Sequence, residues 1–242
     1  MARLRRLNQR SLKEGATHLA TIDPDLARAL EQCGLPPLRN AEPGFATLLR
    51  SIVGQQVSVH AARAIWERLA ALVDPLTPET LLAAGEATLR QAGFSGQKIR
   101  YGLALAADVA ETRVDLDALQ RMDDEAAIAE LIKAKGIGRW TAEIYLMFAL
   151  GRHDIMPGAD LGLMVAAQHL KRLRKRPDAA RLLKLAEPWR PWRTVAALML
   201  WHYRRNMPDW AKTEEKLAQR AAATVAARDP LAPATRRKRN AA

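Results

Sequence analysis

The sequence predicts an all-α protein, on three observations. Apolar residues recur at helical spacing in segment after segment, alternating β-branched runs are nearly absent, and short Gly, Pro and Asp breaks separate the periodic stretches. The first observation places helices over Pro24–Cys33, Gly44–Val57, Val59–Leu72, Pro78–Ala84, Glu86–Ala92 and Gln97–Glu111, and then over Asp124–Lys133, Trp140–Leu150, Leu161–His169, Pro177–Glu187, Pro191–Tyr203 and Glu214–Arg228. The second leaves no segment to build a sheet. The third, with no fixed-period repeat, favours a bundle with a cleft over a superhelical array.

Composition narrows the class of partner. The 242 residues are 49% hydrophobic, enough to bury a full core in one domain or two small subdomains. Thirty-eight Lys and Arg against 26 Asp and Glu leave a formal charge of +12, a field that attracts polyanions. Nucleic acid leads the partners that fit, although charge alone is equally consistent with a soluble basic protein or one that meets anionic membranes. The single cysteine, Cys33, excludes an intrachain disulfide and any metal site built on several thiolates. No signal-peptide core or membrane-length apolar run is present, so a cytoplasmic, soluble protein is expected.

The two ends, residues 1–23 and 229–242, are basic and read as flexible arms around a domain at 24–228, with the run Arg236, Arg237, Lys238, Arg239 in the second. Within that domain the expected division is one subdomain over 44–151 and another over 24–43 plus 152–228, with the cleft between them.

The chemistry starts at Leu131-Ile-Lys-Ala-Lys-Gly136-Ile137-Gly138-Arg139-Trp140-Thr-Ala-Glu143, a helix end, a Gly-Ile-Gly turn and a new helix. Glycine lets the backbone approach a ligand closely, and the first amides of the second helix have no intrahelical acceptor, so an anion fits there. In a basic protein that anion is a DNA phosphate, with Lys135 and Arg139 adding charge. Taken alone, Gly-x-Gly between helices reads as a C-cap and connector.

Further along, Ile155-Met-Pro157-Gly158-Ala-Asp160-Leu-Gly-Leu163 puts a carboxylate at a helix start. A plain N-cap explains it, and a catalytic group is compatible with the same place, because a helix N-terminus favours negative charge. Hairpin, Gly/Pro loop and Asp together resemble the signature of base-excision glycosylases of the helix-hairpin-helix (HhH-GPD) superfamily. Phe45-Ala-Thr-Leu-Leu-Arg-Ser-Ile-Val-Gly-Gln55-Gln56-Val-Ser58 and Trp189-Arg-Pro-Trp192-Arg-Thr-Val-Ala-Ala-Leu-Met-Leu-Trp201 resemble segments of the AlkA-type 3-methyladenine glycosylases II. The likeness runs from about Pro24 to Trp210 in order and spacing. The stretch before Phe45 leaves no room for the β-rich N-terminal domain of that type, which implies a compact form.

The resemblance implies two helical subdomains around a DNA-binding cleft, and a monomer that extrudes a damaged nucleotide from duplex DNA and cuts its glycosidic bond. Asp160 is then the catalytic carboxylate, stabilising oxocarbenium character at the sugar. Trp140 and Trp201 form the base pocket for a cationic alkylated purine. Trp66, Trp189, Trp192 and Trp210 read as core. Gln56 is the side chain that fills the gap, Gln55 contacts the opposite strand, and Lys98, in the second glycine-rich joint Gly93-Phe-Ser-Gly96-Gln-Lys98, contacts backbone. Bifunctional relatives carry a nucleophilic Lys at the position of Trp140, and an indole forms no Schiff base, so a monofunctional enzyme is implied. Ile144 and Leu161 stand where the AlkA type is often aromatic. No metal or cofactor is called for, with a monovalent cation at the hairpin turn left open.

Overall fold

The computed structural model describes residues 6–206. All regular structure among them is helical, in eleven α-helices with two short 3-10 turns. The chain runs α1 (Gln9–Ile22), α2 (Pro24–Cys33), α3 (Phe45–Gly54), α4 (Val59–Leu72), α5 (Pro78–Ala92), α6 (Gly96–Ala110), α7 (Asp124–Leu131), α8 (Arg139–Phe148), α9 (Leu161–Leu170), α10 (Ala179–Ala186) and α11 (Arg193–Asn206). The expected helix over Glu214–Arg228 and the arm at 229–242 lie outside the described residues. No described helix is long and apolar enough to cross a membrane.

Two groups of helices pack among themselves. Helices α3 to α8 form one, where α6 lies against both α3 and α5, α4 joins α3 to α5, and α8 touches α3 and α7. The other comprises α1, α2, α9, α10 and α11, with α11 packed against α1, α2 and α9. The two expected helices over residues 78–92 are a single element bent at Gly85, whose φ of 70° departs from helical geometry.

The expectation of a flexible arm at 1–23 is corrected over Gln9–Ile22, which form α1. Asn8 and Ser11 form a reciprocal capping box, and Leu12, Ala16 and Leu19, at helical spacing, are fully buried. Burying each leucine is worth about 1.5 to 3 kcal/mol, well beyond what surface charge opposes. Gly15 is a packing contact: a Cβ there would lie 2.6 Å from the Trp192 ring.

Asp23 joins this group internally. Its Oδ1 accepts from Asp25 N and Leu26 N to cap α2, while Oδ2 accepts from Lys171 Nζ at 2.7 Å and the buried Trp189 indole at 2.8 Å. Burial by itself would raise this carboxyl, but the Lys171 and Trp189 hydrogen bonds outweigh it and hold it below its ordinary value. Of the other tryptophans read as core, Trp66 and Trp192 are half-buried; Trp66 lies under Arg50 and Trp192 stacks on His153. Trp210 lies outside the described residues.

Candidate active site

The turn between α7 and α8 is held by its glycines in different ways. Gly136 has φ 94°, and a Cβ there would lie 2.5 Å from the Tyr101 ring, so backbone angle and space both demand glycine. Gly138 has ordinary φ and open space around it, and it caps α8 without any side-chain hydrogen bond. The first amides of α8 are therefore left for an outside acceptor. Ile137 points inward and is buried, anchoring the turn, so what it offers to solvent is backbone.

Arg139 is ion-paired rather than free. Its guanidinium makes a two-pronged contact with Glu125, at 3.0 and 2.6 Å, and its Nε donates to Glu143 at 3.0 Å. The Glu125 hydrogen bonds raise Arg139, whereas burial pushes Glu143 up. The positive charge expected of Arg139 at the hairpin is thus offset by two carboxylates, which leaves the backbone amides as the main anion donors.

Asp160 stands at the start of α9, preceded by a buried loop. Pro157 and Gly158 are buried, a Cβ on Gly158 would lie 2.8 Å from Leu183, and Asp160 N donates to Pro157 O. Thr194 of α11 fixes the loop's entry by accepting from Ile155 N and donating to Arg152 O. Three donors then converge on the carboxylate. Leu163 N (2.8 Å) and Trp201 Nε1 (3.1 Å) reach Oδ1, and Trp140 Nε1 reaches Oδ2 at 3.0 Å. Asp160 is therefore both the N-cap of α9 and a side chain oriented from two other helices. Oδ2, with one donor, keeps capacity to accept from a water.

Around this carboxylate opens a cleft of about 400 Å³. One wall is the stripe Trp140, Ile144, Phe148 at i, i+4, i+8 of α8, and the other is Leu198, Trp201, Arg204, Arg205 of α11. Phe148 stacks on Trp201, with centroids 6.1 Å apart and planes at 24°. Pro36, Pro37 and Arg39 close the remaining side.

Residues 49–191, more than half the chain, match the HhH-GPD superfamily of base excision DNA repair proteins. The chain belongs to that superfamily. It is 33% identical over 198 residues to the DNA-3-methyladenine glycosylase 1 of Schizosaccharomyces pombe, covering 79% of this chain and 87% of the relative. A solved structure of the S. pombe 3-methyladenine DNA glycosylase with abasic DNA superposes with a TM-score of 0.72 at 32% identity, over 81% of this chain and 98% of the other. The DNA-3-methyladenine glycosidase of Bacillus halodurans gives 0.71 at 36%, over 77% and 87%.

Asp160, Trp140 and Trp201 are brought together, whereas Lys98 and Gln55 are placed differently from the expected DNA contacts. Lys98, expected at the DNA backbone, is buried, and its ammonium donates to Val53 O at 2.7 Å; burial lowers its pKa. It ties α6 to the end of α3. The Gln55 side-chain amide donates to Gly136 O at 3.0 Å, so this residue braces the hairpin. Gln56 is exposed between α3 and α4, with φ 55°, next to Val57 and the strongly exposed Val59.

Sequence reading missed Phe148, Arg39, Arg204 and Arg205 as cleft residues. For the last two the signal was present: they follow Trp201 by three and four positions, on the same helical face, but the expected helix stopped at Tyr203.

Proposed function

We propose that this protein is a monofunctional DNA N-glycosylase that extrudes and hydrolytically removes alkylated purines, 3-methyladenine and 7-methylguanine among them. The observation that carries the reading is the Asp160 carboxylate, held by the Trp140 and Trp201 indoles at the floor of a cleft beside an amide-lined hairpin. Its relatives' names and the abasic-DNA complex of the S. pombe enzyme support the same substrate class.

The Gly136–Gly138 turn and the first amides of α8 bind a phosphate without regard to sequence. Gln56, at the exposed tip between α3 and α4, fills the space left by the extruded nucleotide. In the cleft the base lies along the aromatic stripe of Trp140 and Phe148, and the deoxyribose faces Asp160. As the C1′–N bond breaks, its electron pair goes to the base. A purine methylated on the ring already carries positive charge, so it departs neutral and needs no protonating acid. The sugar gains oxocarbenium character, which the Asp160 charge stabilises, and Oδ2 orients the water that completes hydrolysis. An indole at position 140 supplies no amine for a Schiff base, so the abasic strand stays intact.

The protein works on duplex DNA as a monomer, by its own side chains. A monovalent cation at the hairpin would share the Gly136 carbonyl, which already accepts from Gln55.

Purified protein incubated with methylated duplex DNA is expected to release 3-methyladenine and 7-methylguanine, with strand breaks only after alkali. Breaks without alkali would assign lyase chemistry instead, and tight DNA binding with no released base would make the domain a binding module.

A further inference from the structure

The cleft that receives the base is lined by three arginines. Arg204 and Arg205 lie one turn beyond Trp201 on α11, and Arg39 comes from the non-helical segment between α2 and α3. That segment is fastened to the end of α8: Ala41 N donates to Phe148 O at 2.9 Å, and Arg6 donates to both Ala41 O and Phe148 O. Arg204 reaches over Gly162. A Cβ built there would lie 2.0 Å from Arg204 Nη1 and 3.0 Å from Asp160 Oδ1, so guanidinium and carboxylate share the space that glycine leaves open.

Burial, and then the charges of Arg39 and Arg204, push Arg205 down, which marks the three as close neighbours. Arg39 and Arg205 are exposed, and neither forms an ion pair with the described residues. Such a wall opposes a cationic ring and suits an anion. The anions that enter with an extruded nucleotide are its own flanking phosphodiesters, bonded to the deoxyribose that meets Asp160. They also need offsetting charge, because a carboxylate repels them.

We propose that Arg39 and Arg205, with Arg204 beside Asp160, form a clamp for the phosphodiesters flanking the extruded nucleotide, separate from the hairpin's phosphate site. The clamp rests on the glycosylase reading of Asp160. It explains how one cleft accepts a cationic base and three guanidinium groups together, since the phosphates neutralise the wall as the base enters.

The test compares wild type with the Arg39→Gln/Arg205→Gln double variant, binding a duplex with a tetrahydrofuran abasic-site analogue and an undamaged duplex over a salt series. Both residues are exposed, so the fold is retained. Affinity for the analogue duplex is expected to fall about tenfold or more, affinity for the undamaged duplex by about twofold at most, and the salt slope on the analogue duplex by about one to two. Equal losses on both duplexes, or none, would overturn the clamp. So would a variant that releases 7-methylguanine faster with unchanged affinity for the analogue, since the arginines would then face the base. If wild type releases no base from methylated DNA, the glycosylase reading fails separately, while the binding comparison still decides whether the clamp exists.

Discussion

Asp160→Asn is expected to slow single-turnover base release by about a thousandfold or more while leaving the fold and DNA affinity essentially intact. A unit charge about 4 Å from the sugar cation, at an effective dielectric near 20, is worth about 4 kcal/mol, and that energy spans roughly three powers of ten in rate. Asparagine keeps a carbonyl oxygen for Leu163 N and the Trp201 indole, so the cap of α9 survives, while the charge is lost and an amide NH2 replaces the acceptor that faces the Trp140 indole. Rapid-quench release of 7-methylguanine, alongside thermal melting and duplex binding, checks this. A loss below about tenfold, with fold and binding intact, would deny the carboxylate its role.

The second large effect separates two glycines two residues apart. Gly136→Ala places a Cβ in the left-handed region and against Tyr101, at a combined cost of about 2 to 4 kcal/mol. The melting temperature should drop by about 5 to 15 °C, and DNA binding should fall with it as the turn distorts. Gly138→Ala meets nothing within 4 Å and has ordinary φ, so its stability should stay within about 1 kcal/mol of wild type. Its added methyl stands where a phosphate must approach, and DNA affinity should fall about tenfold. A Gly138→Ala protein that binds DNA like wild type would show that the hairpin amides are not the contact.

Legibility in the sequence followed how local the physics was. Asp160 and the glycine turn were readable because capping, φ > 0 and helix ends are set within a few residues. Helix α1 was not: its stripe of Leu12, Ala16 and Leu19 is sparse beside many basic residues, and Gly15 shows its purpose only against Trp192, far along the chain. Lys98 had the residue type and the glycine-rich joint of a phosphate contact. Only the packing of α6 on α3 reveals that its ammonium satisfies the Val53 carbonyl instead. The two pocket tryptophans were expected for their ring faces, and what no spacing announces is that both indole N–H groups meet on one carboxylate. Arg204 was hidden by a helix end misplaced by three residues, because the terminal turn of α11 carries polar residues over a periodicity that continues through Asn206.

If Asp160 stabilises positive charge at the sugar, the protein binds a mimic of that charge more tightly than a neutral counterpart. Duplexes carrying a pyrrolidine abasic analogue, protonated at neutral pH, and its uncharged tetrahydrofuran counterpart would be titrated with wild type and Asp160→Asn. Wild type is expected to prefer the cationic analogue by about tenfold or more, and the variant to bind both alike. An equal preference in the two proteins would show that the carboxylate does not act on the developing cation.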